Sequence, residues 1–140
     1  MSGGLLVFSE DLTKYDFGSD HPMAPGRVTN TISLARQLGV LDRLRIVPPP
    51  NIDLALLETI HTSDYIAAVQ RGEPNQRYGL GTSDNPVFPG MHEIAASVTM
   101  ASVEAARESG PVTRSGLPTS AVGCITPCRA IPVASASTTT

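Results

Sequence analysis

The side chains able to do chemistry in this sequence are few and widely spaced. His21, His61 and His92 can each ligate a metal or move a proton. A zinc site needs three or four such ligands converging on one point, and these three fall in different parts of the chain. Cys124 and Cys128 form a Cys-x-x-x-Cys pair with no further Cys or His nearby, which is a weak metal signal. Two cysteines also do not make a disulfide framework. The residues alone therefore yield no catalytic set, no metal site and no cofactor. Two loop residues carry more promise. Asp84, in "GTSDNPVFPG", is a carboxylate that can accept amide hydrogens from an extended ligand. It can equally form an Asx-turn before Pro86. Arg27 closes "DFGSDHPMAPGRV", where Pro22 and Pro25 fix two backbone angles and restrict the residues before them. That stiffness positions His21 and Arg27, or else makes a rigid entry to a helix with Arg27 solvated in its first turn.

Elements to hold these residues are legible. Leu5–Phe8 reads as a short buried strand. Val28, Ile32, Ala35 and Leu38 recur at helical spacing, with Gly39 as a C-terminal stop. "RLRIVPPP" reads as a second strand, ended by prolines that cannot donate to a ladder. Asp53 caps a helix that should turn Leu54, Leu57 and Ile60 inward, and Thr62 or Ser63 caps the next helix, which runs to Gly72. From Glu73 to Gly90 there is no period. Loops of that length in compact domains are usually functional or disordered. Met91, Ile94, Ala95, Val98, Ala101 and Ala105 then form one helical stripe. Strands alternating with helices indicate an α/β fold, but two strands cannot make a stable sheet, so the pattern reads as the opening part of something larger.

A length of 140 residues suffices for one domain with a real core. The net charge of −3 offers no broad basic surface for nucleic acid or anionic lipid. No apolar run approaches a membrane span, and "GLLVF" is too short for a signal-peptide core. The expectation is a cytoplasmic protein without nucleic-acid or membrane partners. The averages conceal a break. All 13 acidic residues lie at or before Glu108. Without Arg114 and Arg129, the eight remaining basic residues leave a net charge of −5 for residues 1–109. Beyond Ser109 there is no Asp, Glu, Lys, His or aromatic residue, and four prolines fall at uneven spacing. Such a segment cannot bury much apolar surface and is expected to be disordered.

Residues 5–108 resemble the N-terminal part of the histone deacetylase superfamily, most nearly its bacterial acetoin-utilisation members. Three segments carry the resemblance in the same order and spacing: "YDFGSDHPMAPGR", "ETIHTSDYIAAV" and "GLGTSDNPVFPGMHEIAA". The resemblance implies a three-layer α/β deacetylase (arginase-like) fold, here incomplete. It implies a zinc-dependent hydrolase acting on acetyl-lysine-like amides. Asp84 then matches the family's rim aspartate, which grips the substrate backbone. Arg27 matches an arginine facing an internal channel, and His61 with Tyr65 matches a structural pair at a helix junction. The family's tandem histidines, its zinc-binding Asp-x-His and second Asp, and its tyrosine are absent from this sequence.

The tail offers a reason. One legal codon string for Gly123–Thr139, read two bases later, encodes Leu-His-His-Ala-Met-Pro-Gly-Asn-Ser-Ser-Gly-Phe-Cys-Ile-Tyr-Asn. That is the family's tandem-histidine motif, in the position where the family has it. Two bases of each shifted codon are fixed by the tail residue, so chance agreement along the whole motif is very small. The expectation is a frameshift near Ser109–Pro111. Residues 1–109 then form the N-terminal part of a deacetylase-like domain, and 110–140 are a frameshift-derived tail in which Cys124 and Cys128 belong to the wrong frame. Deacetylation belongs to the intact family and should be absent from this chain. The rival reading is a small non-catalytic binding module or pseudoenzyme that uses loop 73–90 to hold a partner.

Overall fold

A computed structural model describes residues 4–108. The tail expected at 110–140 lies outside the described residues. Strand β1 (Gly4–Val7) pairs in parallel with β2 (Leu44–Val47), in the register Gly4↔Leu44 to Val7↔Val47. The first strand therefore starts one residue earlier than the apolar run alone indicates. The close approach explains Gly4: a Cβ there would sit 2.8 Å from the Leu44 Cδ2 atom. A parallel pair needs a crossover, and helix α1 (Gly26–Gln37) supplies it.

Helix α2 (Leu54–Glu58) and helix α3 (Ser63–Arg71) follow. Both caps fall where the sequence places them. The Asp53 carboxylate accepts from the Leu56 N–H at 3.1 Å, and the Thr62 hydroxyl oxygen accepts from the Tyr65 N–H at 3.3 Å. Each satisfies a donor that the first helical turn leaves without a partner. Helix α3 ends at Gly72, which adopts the left-handed conformation at φ 63°.

Helix α4 (Met91–Glu108) organises the core, because it contributes to all three apolar clusters. Val98, Ala101 and Ala105 pack with Val7 and Leu12 beneath the sheet. Met91 joins Tyr15, Ala68, Leu80 and Phe88. Ala96 and Met100 pack with Leu57 and Ile66. This corrects the single stripe expected from spacing: Ala95 is exposed, whereas Ala96 and Met100 are buried. A helix enclosed on two sides buries more than one stripe. The inward row Leu54, Leu57 and Ile60 is also corrected. Only Leu57 is buried, because α2 lasts little more than one turn and cannot aim three apolar residues at one neighbour.

Helix α1 differs from α4 in burying no residue completely. Val28, Ile32 and Ala35 are half-buried, and Leu38, just past the helix end, is exposed. The sheet among the described residues has two strands, which is the α/β pattern in a small form. No helix among the described residues is long and apolar enough to cross a membrane.

Candidate functional site

The segment 73–90 lacks sequence periodicity, yet it is tightly built. Asn75 and Leu80 exchange backbone hydrogen bonds at 2.9 and 3.0 Å, closing a loop around a short 3-10 turn at Gln76–Tyr78. Gly81 lies at φ 83°, and a Cβ there would meet Pro74 Cα at 2.9 Å, so a side chain is excluded by both conformation and space. Leu80 and Phe88 are buried and act as anchors at either end of the exposed turn.

Asn85 fastens that turn. Its backbone N–H donates to the Thr82 carbonyl and to the Thr82 hydroxyl oxygen, both at 3.2 Å. Its side-chain amide donates to the Gly79 carbonyl at 3.1 Å, and its own carbonyl accepts from the Gly81 N–H at 2.9 Å. Asp84 immediately precedes it and is exposed at the turn. A carboxylate exposed on a fastened turn can accept hydrogen bonds from an arriving chain. Sequence reading passed over Asn85. The signal was available in the Thr82-to-Asn85 spacing, since short polar side chains close turns through their own backbone.

The segment Tyr15–Arg27 docks against this loop. Phe17 lies between Tyr15 and His21, with ring centroids 5.1 and 4.9 Å away, and meets Phe88 edge-on at 5.5 Å. The imidazole Nδ1 of His21 accepts from the Met23 N–H at 3.1 Å, so the stiff His-Pro turn is locked from within. Arg27 is exposed, and its guanidinium folds back to donate to the Pro22 carbonyl at 3.3 Å. It also lies 3.2 Å from the Met23 sulfur. Helix α3 completes the arrangement through Ala68 and Val69. His61 rests against Tyr65 at 5.1 Å, and Tyr65 meets Tyr78 edge-on at 5.3 Å.

The histidines stay apart. His21 faces Phe17, His61 faces Tyr65, and His92 lies 3.5 Å from the Gln70 side-chain nitrogen. Among the described residues, no three His, Cys, Asp or Glu side chains gather closely enough to hold a metal ion. A cleft of about 350 Å³ lies between the end of α3 and the start of α4, lined by Gln70, Arg71, His92 and Glu93 among others. It is open, and the end of the loop, from Val87 to Gly90, also lines it, whereas Asp84 does not.

Comparison with known proteins adds a family. Residues 21–115 match the model of the histone deacetylase domain. The chain is 34% identical over 113 residues to the acetoin utilization protein AcuC of Bacillus subtilis, covering 76% of this chain and 29% of that protein. It is 27% identical over 110 residues to histone deacetylase clr6 of Schizosaccharomyces pombe, covering 72% of this chain and 27% of that protein. It is 29% identical over 108 residues to human histone deacetylase 1, covering 71% of this chain and 22% of that protein. The chain thus spans less than a third of the length of each of these relatives.

Proposed function

The chain belongs to the histone deacetylase domain family, and from that premise we propose that its described residues form the substrate-gripping rim of a zinc-dependent amide deacetylase rather than its catalytic centre. The observation that carries this reading is the fastened turn Gly79–Asn85, which carries the exposed Asp84 and adjoins an apolar cluster drawn from all three family-like segments. Asp84 accepts backbone N–H groups of the substrate, and acetyl-lysine-like amides are the substrate class. Arg27 lines an internal channel in the intact domain. Zinc supplies the hydrolytic chemistry of the family. The described side chains do not fit it, because His21, His61 and His92 each serve a different local contact.

The catalytic residues lie, in this proposal, in the other reading frame of the segment from about Ser109 onward. One legal codon string for Gly123–Thr139 encodes adjacent histidines in that frame. In the present frame the chain is a truncated acetoin-utilisation-type deacetylase without amide hydrolysis. A second reading, a stand-alone binding module using loop 73–90, draws support from the order of that loop: it carries its own bridge and two buried anchors.

The test is to restore the frame near codon 109 and assay the product on acetyl-lysine peptides, together with its Asp84→Ala variant. The expected result is a zinc-loaded deacetylase whose substrate binding weakens by about 1.5–3 kcal/mol on losing Asp84, at unchanged zinc content. A repaired protein that is zinc-loaded but inert on every acetylated amide tried sinks the deacetylase reading. An active one that ignores Asp84→Ala sinks the rim assignment alone.

A further inference from the structure

Helix α3 and the turn that follows it build a second cleft, of about 240 Å³, lined by Asp64, Ala67, Arg71, Asn75, Arg77 and Tyr78. Two arginines from different elements line it, Arg71 from the last turn of α3 and Arg77 from the 3-10 turn Gln76–Tyr78. Residues 1–109 carry a net charge of −5, so carboxylates to pair with are plentiful. Lys14 and Arg45 take such partners, in Asp11 and Glu108. Arg71 and Arg77 form no ion pair among the described residues, although Asp64 lines the same cleft. Asp64 stands two turns before Arg71, about 10 Å away along the helix. Arg77 is held from two sides. Its backbone N–H donates to the Asn75 side-chain oxygen at 3.1 Å, within the turn that the Asn75–Leu80 bridge closes. Its guanidinium carbon lies 5.2 Å from the centre of the Tyr78 ring, and Tyr78 rests edge-on against the buried Tyr65. A guanidinium stacked on a ring leaves its N–H edge available to a carboxylate.

We infer that this cleft binds an acidic peptide, with Arg71 and Arg77 gripping one of its carboxylate side chains through charge-assisted hydrogen bonds. Two cations gathered in one small cleft repel each other, and an arriving carboxylate relieves that repulsion. Asp64 selects among anions. A phosphate dianion brings more charge against Asp64 and few donors to satisfy it. A peptide carboxylate carries a single charge, and the backbone N–H groups beside it are donors that Asp64 can accept. The inference goes beyond the deacetylase reading. It stands on the cleft alone and does not depend on the role of Asp84, on zinc or on the reading frame of the tail.

The experiment titrates the full 140-residue chain into a short fluorescent peptide carrying adjacent glutamates, and into the same peptide with glutamines, and reads anisotropy at low salt. The glutamate peptide should bind about fivefold more tightly, the range open to exposed charge pairs. The double substitution Arg71→Gln with Arg77→Gln should remove that preference at an unchanged urea midpoint, since both side chains are exposed. Arg77→Glu should reverse it, favouring a version of the peptide with lysines in place of the glutamates, a gain that misfolding cannot produce. Equal binding of the glutamate and glutamine peptides overturns the proposal, as does a preference that survives the double substitution or an Arg77→Glu variant that still selects glutamate. Inorganic phosphate that displaces the glutamate peptide as strongly as unlabelled peptide does would assign the arginines to a free anion and overturn the peptide assignment. A frame-repaired protein that proves inert on acetylated amides would leave the glutamate preference in place, so the two proposals fail separately.

Discussion

Phe17 stands edge-on to Phe88, with 5.5 Å between ring centroids and 75° between ring planes. This contact joins the loop before α1 to the end of the segment that carries Asp84. An edge-to-face pair adds about 0.5–1.5 kcal/mol to the burial of the rings themselves. It couples the two loops, so the shape of one depends on the packing of the other.

Phe88→Ala should therefore have a large effect. Phe88 is 9% exposed, and emptying its site leaves Tyr15, Ala68, Leu80 and Met91 around a cavity. The expected cost is about 3 kcal/mol or more, read as a lower urea midpoint. Hydrogen exchange at Gly79–Phe88 should accelerate before that of α4. Uniform acceleration everywhere would show that the aromatic contact has no special hold on the loop.

Asn85→Ala removes the side-chain bond to the Gly79 carbonyl but keeps the backbone bonds to Thr82. About 1 kcal/mol of loop stability should go with it. Protease cleavage within Gly79–Pro86 should quicken, with little change in the near-ultraviolet aromatic signal. A cleavage pattern identical to the parent's would mean that Pro86 and the backbone bonds suffice to hold Asp84.

Gly81→Ala tests a different constraint. The residue must adopt φ 83° with Pro74 Cα 2.9 Å from the new methyl. Strain and overlap together should cost more than about 1 kcal/mol. Gly18→Ala is the matched control, since it shares a positive φ but has open space around it. Equal costs at the two positions would assign the effect to conformation alone.

Arg45 in β2 and Glu108 in the last turn of α4 form an ion pair between exposed side chains. Arg45→Ala should cost less than about 1 kcal/mol, and the cost should shrink further at high salt. A larger, salt-independent loss would point to packing of the arginine stem against the sheet rather than to charge.

The chain in its present frame should bind no stoichiometric zinc and release no acetate from acetyl-lysine peptides. One tightly held zinc per chain by elemental analysis would contradict the separation of His21, His61 and His92.

What the sequence determined by itself is local. Asp53 and Thr62 cap helices because a short polar side chain before a helical run reaches its own backbone, a contact that needs no tertiary partner. Gly39 and Gly72 end helices because of backbone freedom alone. The two strands and the family-bearing segments were legible for the same reason, as runs of residue types. Tertiary structure decided which apolar residues are inside. Ala95 and Ala96 are neighbours of the same type, and only the packing of Leu57, Ile66 and Met100 selects Ala96. Leu54 and Ile60 look as apolar as Leu57, but the brevity of α2 leaves them in water. Tertiary packing also turned the aperiodic stretch 73–90 into a fastened loop. Its anchors, Leu80 and Phe88, find their partners in Tyr15, Phe17 and Ala68, which are distant in sequence. Periodicity registers one element against one neighbour, whereas a site assembled from three separated loops exists only once the chain has closed on itself.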